Sequence, residues 1–218
     1  MEKIAELMRL PAPAPRPQSL AFDGETLWMG SIMTQRIYAI EPHEWTARDE
    51  AQAPGNPWGM TVVGDDLYVL CGLPPNDDRV VRKLTPGRGF HSHDLFTCPD
   101  DTGSQLSYDG DRLYISQWYR KRIVSVDERG TPGTIIDLPH EICGQVIVDG
   151  RFYCLCTDDE ESGEYFLTRV DARSGSPKID DLAAIDFDAR ALAWDGEKFW
   201  TNHREHNEMV AFARPDKP

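Results

Sequence analysis

The residue types best suited to chemistry cluster in one short segment, Asn202-His-Arg-Glu-His206. A histidine near its ordinary pKa exchanges protons at neutral pH, and a neighbouring carboxylate orients it or acts as a base itself. His203 and Glu205 supply such a pair, and His140 and Glu141 supply a second. The pattern predicts proton-transfer chemistry such as cyclisation, elimination or hydrolysis, with these four residues as the catalytic set.

The same histidines also suit a metal ion. His203 and His206, joined by His140 or a carboxylate, form a ligand set that zinc accepts. Residues three apart on an extended strand do not share a face as they would on a helix, which weakens this interpretation. We therefore expect a metal-independent reaction without a cofactor. A metal-dependent, lactonase-like hydrolase that holds a divalent ion is the alternative.

A sequence repeat positions these residues. Five segments each combine an apolar run, a glycine turn and a second apolar strand, and their turn glycines are 40, 46, 40 and 46 residues apart. Asp-Gly between apolar strands predicts a tight β-hairpin, and a further strand follows in each unit. A spacing of about 43 residues is typical of a four-stranded propeller blade. The first strand and turn of the units span Ser19–Gly24, Gly59–Gly64, Gln105–Gly110, Gln145–Gly150 and Ala191–Gly196.

The fifth unit ends after its third strand, and its missing strand is found at the other end of the chain. Lys3–Leu10 resembles the fourth strands of the other units, so we expect it to complete the last blade and close the ring. A short helix is the competing interpretation, because Ile4, Leu7 and Met8 lie at helical spacing. The sequence predicts an all-β, five-bladed β-propeller with four-stranded antiparallel blades, forming a single domain over residues 1–218.

This topology predicts one face for a site. Loops before the first strands and after the second strands lie on the same side of a propeller, and such loops carry function. Aromatic walls with a few convergent polar groups are typical of small-molecule pockets. The residues expected to bind substrate on this face are Gln18, Trp58, Gln105, Trp118, Tyr119 and Arg190. Arg190 is expected to hold an anionic group, whereas Asp158–Glu161 is interpreted as a solvated loop. A non-catalytic propeller that binds a small molecule or a peptide is the alternative.

The composition limits the classes of partner and the cellular compartment that we expect. The formal net charge is −14, which disfavours binding to nucleic acid or to anionic membranes. No apolar stretch reaches the ~18 residues of a transmembrane helix, and the first residues do not form a signal peptide. Five cysteines without a framework spacing fit a reducing compartment. We expect a cytoplasmic protein with a small-molecule substrate or ligand, and the sequence leaves its oligomeric state open.

Several segments resemble the plant-type glutaminyl cyclases, or glutamine cyclotransferases, which are five-bladed propellers. Pro17–Trp28 is similar to the opening Thr-Gln-Gly-Leu repeat of that family. Ser104–Trp118 is similar to its Asn-Glu-Leu-Glu-Tyr repeat with the following Asn-x-Trp, and Ala191–His203 is similar to its last repeat. The resemblance implies the propeller fold and a site at the blade mouths, where Gln18 and Trp118 are the positions that carry over.

The chain departs from that family at the reacting groups. Pro57-Trp58-Gly59 stands where the family has its acid–base glutamate, and His203 stands where it has a lysine. Cyclisation of a glutaminyl N-terminus needs a group that moves a proton from the amine to the leaving ammonia. The resemblance therefore implies a cyclase-like or lyase-like enzyme without implying the same reaction.

The chain also resembles the gluconolactonase-like propellers, which hold a divalent ion at the channel mouth through Glu, Asn and Asp. The corresponding throat positions here are Gln18, Trp58, Ser104, Gly144 and Arg190. These side chains are poor ligands for a hard cation, and the positive charge of Arg190 opposes one. We therefore expect no metal ion at the throat.

Overall fold

The computed structural model describes residues 1–173 and 175–216. Within them the chain forms twenty β-strands, arranged as five four-stranded antiparallel sheets. Each sheet is one blade, and the blades follow one another around a ring. This confirms the predicted all-β, five-bladed propeller with four-stranded blades.

Each blade runs from a central first strand to an outer fourth strand. Blade one contains β2 (Pro17–Phe22), β3 (Leu27–Ser31), β4 (Arg36–Glu41) and β5 (Thr46–Gln52). Blade two contains β6 (Asn56–Val63), β7 (Asp66–Leu73), β8 (Asp78–Thr85) and β9 (Gly89–Thr97). Blade three contains β10 (Gln105–Tyr108), β11 (Leu113–Gln117), β12 (Arg122–Val126) and β13 (Pro132–Asp137). Blade four contains β14 (Glu141–Val148), β15 (Arg151–Thr157), β16 (Tyr165–Asp171) and β17 (Lys178–Ile185). Blade five contains β18 (Ala189–Trp194), β19 (Phe199–His203), β20 (Glu208–Phe212) and, from the N-terminus, β1 (Glu6–Pro11).

The first strands hold the ring together. β2, β6, β10, β14 and β18 contact one another in turn, and β18 contacts β2 to complete the circle. The approach is close at two glycines: a Cβ on Gly59 would lie 2.6 Å from the Gln105 Cα, and one on Gly144 would lie 2.7 Å from the carbonyl carbon of Ala191. Glycine is therefore required where these strands come nearest to each other.

The N-terminal strand closes the ring by pairing antiparallel with β20. The predicted closure is confirmed, and the competing helix is not formed. β1 begins at Glu6 rather than at Lys3, because the residues before it cross to blade four. Lys3 forms a parallel bridge with Ala184, and the Ile4 amide donates to the Ala184 carbonyl at 3.0 Å. Ile4 is buried, so the N-terminus is held across two blades by both hydrogen bonding and apolar burial.

An aspartate organises the hairpin between the first and second strands in blades one, three and five. In blade one the Asp23 carboxylate accepts hydrogen bonds from the amides of Glu25 at 2.9 Å and Thr26 at 2.7 Å. Its other oxygen accepts the indole N–H of Trp28 at 2.7 Å, which fixes the aromatic ring of the second strand. The same arrangement joins Asp109 to Tyr114 and Asp195 to Trp200.

These aspartate loops are longer than the predicted tight turns. Four residues separate the paired ends Phe22 and Leu27, and Gly24 occupies the loop with a φ of 105°. Two-residue turns are found in blades two and four, at Gly64-Asp65 and Asp149-Gly150. The hairpins are correctly predicted, and the loop length differs because the aspartate side chain takes over the hydrogen bonds that a tight turn makes with its backbone.

The apolar core lies between blades. Five clusters of buried side chains fill the ring, and each draws its members from two neighbouring blades. Between blades five and one, the Trp200 side chain is 1% exposed and stacks on Trp45 with 5.4 Å between ring centroids. Because both faces of every blade are covered, apolar residues occupy both faces of the inner strands.

Helical structure within residues 1–173 and 175–216 is confined to three short 3-10 turns at Pro99–Asp101, Trp118–Arg120 and Glu160–Ser162. No helix of this part of the chain has the length and apolarity needed to cross a bilayer. We call the face with the loops before the first strands and after the second strands the mouth. The opposite face, which carries the aspartate hairpins, is the turn face.

Candidate functional site

Arg190 lies at the start of β18, on the mouth, and its side chain is buried. The guanidinium donates to the Tyr165 hydroxyl at 2.7 Å and pairs with the carboxylates of Asp188 at 2.5 Å and Glu160 at 2.9 Å. The chain therefore supplies two internal carboxylates where the sequence predicts an external anion. The loop residue Glu160 is 43% exposed, so its loop is solvated as predicted but also contributes to the mouth.

Trp118 and Glu141 stand beside Arg190. The Arg190 guanidinium lies over the Trp118 ring, with 4.9 Å between its central carbon and the ring centroid. The Trp118 indole donates to the Glu141 carboxylate at 2.8 Å. Two predicted binding residues and one predicted catalytic residue thus meet on the mouth. Glu141 is held by the indole, which leaves it one carboxylate oxygen for another partner.

Tyr119 covers this cluster from outside. Its side chain is 75% exposed and follows Trp118 in the 3-10 turn after β11. Partial burial, followed by the negative charges of Glu160 and Glu141, raises the pKa of the Tyr119 hydroxyl. The phenol therefore stays protonated at neutral pH, with its hydroxyl near the Glu160 carboxylate.

Trp58 and Gln105 lie on the opposite side of the mouth, between blades two and three. The Trp58 indole donates to the Asp77 carboxylate at 2.9 Å, and the Arg79 guanidinium stacks over its ring at 4.2 Å from the centroid. The Gln105 amide donates to the Trp58 carbonyl at 3.0 Å and is buried. Gln105 thus ties two first strands together, whereas the partly buried Trp58 forms part of the mouth wall.

The Arg204 guanidinium is partly buried, and in the described residues it forms no ion pair, unlike the guanidinium groups of Arg79 and Arg190. Arg204 follows β19, its amide donates to the Asp188 carbonyl at 3.0 Å, and its guanidinium pairs with no carboxylate in residues 1–173 and 175–216. Burial and the nearby positive charge of Arg190 lower the pKa of Arg204. Arg204 was not predicted as a binding residue, although an arginine in a predicted mouth loop of a chain with net charge −14 was a usable signal.

Buried polar atoms without a partner concentrate near Arg204. Within the described residues, seven of ten such side-chain atoms belong to the mouth ends of blades five and one. They include the Gln18 carbonyl oxygen and both polar atoms of the Asn202 amide. An unpaired buried polar group costs about 1–3 kcal/mol, so water or a polar ligand is expected to bind there.

The four predicted catalytic residues are not brought together. The His140 ring lies between the carboxylates of Asp158 at 2.6 Å and Asp181 at 3.4 Å, towards the outer part of blade four. Glu141 is bonded to Trp118, and Glu205 is exposed on the loop after β19. His203 has a different set of neighbours in blade five, so proton transfer by the four residues acting together has no geometric support.

His203 is buried among aromatic rings. It stacks on Phe187 with 4.8 Å between ring centroids and on His206 with 4.1 Å. Burial, followed by the positive charges of His206 and Arg9, lowers the pKa of His203. Among the described residues, the metal-ligating side chains that come together are His203, His206 and Glu208, and they lie on the rim of blade five rather than at the throat.

Two cavities lie away from the mouth. One of about 760 Å³ opens between blades two and three and is lined by residues such as Tyr68, Tyr108 and Asp127. Another of about 180 Å³ lies among the first strands, with Phe22 and Trp194 in its wall. At the mouth, the side chains around Arg190 pack against one another.

The ring of five four-stranded blades makes this protein a five-bladed β-propeller. No protein-family model matches the sequence, and no curated protein sequence matches it. The comparisons that succeed are with solved structures.

Three solved structures illustrate the likeness. A glutaminyl cyclase from Myxococcus xanthus is 12% identical with a TM-score of 0.56, over 83% of this chain and 99% of that one. A virginiamycin B lyase from Staphylococcus aureus is 14% identical with a TM-score of 0.54, over 94% and 68%. A chain of a nidogen–laminin complex is 15% identical with a TM-score of 0.64, over 97% and 87%. Identities this low show the fold alone, so the resemblance to plant-type cyclases is supported for the propeller and not for the family.

Proposed function

We propose that the protein binds a small anionic molecule at the mouth, with Arg204 pairing with its negative charge. The observation that carries this proposal is a partly buried arginine without a carboxylate partner in the described residues of a strongly acidic chain. A desolvated guanidinium is unfavourable alone, and a carboxylate or phosphate satisfies it with two parallel hydrogen bonds. The proposed ligand class is therefore a small carboxylate or phosphate.

The surroundings of Arg204 support a ligand that is also polar or aromatic elsewhere. The unpaired amides of Gln18 and Asn202 lie at the mouth ends of β2 and β19 and offer both donors and acceptors. Trp118 and Tyr119 supply aromatic surface, and the Tyr119 hydroxyl donates. In this proposal Trp58 contributes to the far wall, and Arg190 acts by holding the mouth in shape.

Calorimetric titration with benzoate, benzamide and inorganic phosphate tests the proposal, with tryptophan fluorescence as a second readout. We expect benzoate or phosphate to bind and benzamide, which lacks the charge, to bind more weakly. Arg204→Gln should weaken anion binding about 10- to 100-fold, because a charge-assisted hydrogen bond is replaced by a neutral one. The matched control is Arg112→Gln, since Arg112 is exposed on the turn face. Equal affinities in the wild type and Arg204→Gln, or no preference for the anion, would contradict the proposal.

A second candidate function is catalysis at the same mouth. Its support is the grouping of Glu141, Glu160 and Tyr119, in which a protonated phenol stands beside two carboxylates. We propose metal-independent proton transfer of a cyclase-like or lyase-like kind, in which a carboxylate accepts a proton and the phenol donates one. His203 and Glu205 belong to the same blade as Arg204, but His140 is bound elsewhere.

Mass spectrometry of any ligand that the titration identifies separates catalysis from binding. Under the catalytic proposal the ligand is converted, and Glu160→Gln and Tyr119→Phe reduce its turnover about 100-fold while affinity changes little. Recovery of the ligand unchanged after prolonged incubation with the wild type would leave binding as the function.

A further inference from the structure

A histidine–histidine–glutamate cluster occupies the hairpin between the second and third strands of blade five. His203 is the last residue of β19, Glu208 is the first residue of β20, and the two face each other in the strand register. His206 lies in the loop that joins them. One ligand atom from each of these side chains lies within 4.8 Å of the other two. The two histidines are three residues apart and do not share a helical face. The hairpin between β19 and β20 brings them together instead.

We propose that this hairpin binds a divalent transition-metal ion such as Zn²⁺ through His203, His206 and Glu208. Two imidazoles and one carboxylate are a ligand set that zinc and its neighbours prefer. Calcium and magnesium prefer oxygen ligands throughout, so they suit this cluster poorly. Three protein ligands leave a fourth position for water or a ligand atom.

The unpaired, buried nitrogen of His203 supports the proposed metal site. The side chain is 5% exposed, and its Nδ1 has no hydrogen-bond partner in the described residues. A buried ring nitrogen without a partner is rare, and a metal ion would satisfy it. The parallel stack on Phe187 fixes the plane of the His203 ring.

Arg9 orients the carboxylate of the cluster. Its guanidinium donates to one oxygen of Glu208 at 3.0 Å, and Glu6 holds the guanidinium in turn at 2.8 Å. The second oxygen of Glu208 makes no hydrogen bond in the described residues and is left for a metal ion. Outer partners of this kind position metal ligands, and Glu6 offsets the positive charge that Arg9 brings to the site.

Metal binding requires one ring to move. The rings of His203 and His206 stack with 22° between their planes, so their nitrogen lone pairs lie in nearly parallel planes and do not converge on one point. Zinc–nitrogen bonds of about 2.0–2.1 Å bring tetrahedral ligand atoms to about 3.4 Å from each other. His206 is exposed on a loop and can rotate, whereas His203 is fixed by its buried surroundings. We therefore expect a site that closes as the ion binds.

Competition for Zn²⁺ against a chromophoric chelator tests this site, with the full chain at neutral pH under reducing conditions. We expect one equivalent to bind and His206→Asn to weaken binding at least tenfold, because one of three ligands is lost. His140→Asn is the matched control, since His140 is a partly buried histidine bound to Asp158 and Asp181. Co²⁺ in place of Zn²⁺ should give the intense visible absorption of a tetrahedral nitrogen–oxygen site. The exposed position of His206 means that its variant should fold, which a thermal melt verifies.

Three results would overturn the metal site. They are no stoichiometric binding by the wild type, equal affinity in the wild type and His206→Asn, and a thiolate charge-transfer band in the Co²⁺ spectrum. The last result would move the ion to cysteines. Arg204 and Trp118 are not ligands of this metal site. Loss of anion binding in the Arg204→Gln variant would therefore leave the metal-binding result unchanged.

Discussion

The two faces of the propeller treat their polar groups differently. On the turn face, Asp23, Asp109 and Asp195 each accept two backbone amides and one aromatic donor. On the mouth, the Arg204 guanidinium, the Asn202 amide and the buried nitrogen of His203 include polar atoms that have no partner in the described residues. The three turn-face aspartates are thus satisfied within the protein, whereas these mouth atoms find no partner in the described residues.

The difference follows from what each face must do. The three aspartate loops solve one local problem, the reversal of the chain between two apolar strands, so one solution is repeated. The mouth loops differ in length and sequence from blade to blade, and buried polar atoms are costly there unless something binds. In this propeller, repetition marks the structural face and departure from the repeat marks the candidate functional face.

The largest expected effect separates two arginines of the mouth. Arg190→Met leaves Asp188 and Glu160 without their cation, and we expect the free energy of unfolding to fall by about 3 kcal/mol. Arg204→Met removes a desolvated charge without a partner, so the free energy of unfolding should be unchanged or rise by about 1 kcal/mol. Urea unfolding followed by tryptophan fluorescence measures both. Equal losses of unfolding free energy in the two variants would show that both arginines make stabilising contacts within the protein. That result would contradict the difference between Arg190 and Arg204.

The turn face offers the next largest effect. The Asp195 side chain is 10% exposed and accepts the amides of Glu197 and Lys198 and the indole of Trp200. Asp195→Ala should lower the free energy of unfolding by about 2–3 kcal/mol, because these donors lose a charged acceptor. Asp111→Ala is the control in the corresponding loop of blade three: its side chain is 87% exposed, and a change below about 0.5 kcal/mol is expected. A loss in Asp195→Ala no larger than in the control would mean that the aspartate loops are not what stabilises this face.

The fold could be predicted because the repeat shows the strands directly. A turn glycine recurs at blade spacing, preceded by aspartate in four of the five units, and the aromatics after it mark the second strands. The closing strand was found because one blade lacked its fourth strand. Its start at Glu6 could not be predicted, because the bridge from Lys3 to Ala184 depends on a tertiary contact that leaves no local pattern.

The candidate site was predictable only in part. The mouth loops were correctly placed on one face, which brought Trp118 and Glu141 together. The partner of each side chain was not predictable: Arg190 pairs with Asp188 and Glu160, whereas the partly buried Arg204 pairs with no carboxylate in the described residues. Such pairing depends on which loops lean towards each other, and spacing along the chain carries no information on that.

Acid should destabilise the turn face, because the pKa values of its aspartates Asp109 and Asp195 are lowered in the folded protein. Burial pushes the pKa of Asp195 upward, but hydrogen bonds from the Lys198 amide and the Trp200 indole outweigh it, so the pKa is lowered; the pKa of Asp109 is lowered in the same way. An unfolded aspartate has a pKa of about 3.9, so this stabilisation is complete above about pH 4 and is lost as the pH falls towards the folded values. Urea midpoints at about pH 5 and about pH 3 should therefore fall less in an Asp109→Asn, Asp195→Asn double variant than in the wild type. The same fall in both proteins would place the acid sensitivity elsewhere.

The smallest expected effect is in the order in which thiols react. All five cysteines are buried, and burial raises the pKa of Cys71, Cys98 and Cys143 to about 12, so a thiol-reactive disulfide should label none of them quickly in the native protein. Cys143 lies near the mouth end of β14, beside the Arg190 cluster, whereas Cys154 lies in the middle of β15 in the core between blades three and four. If the mouth opens more readily than the blade interiors, peptide mapping after partial labelling should find Cys143 modified before Cys154, and the Arg190→Met variant should widen that gap. Simultaneous labelling of both thiols at the rate of global unfolding would mean that the mouth, although polar and incompletely paired, is as firmly held as the rest of the ring.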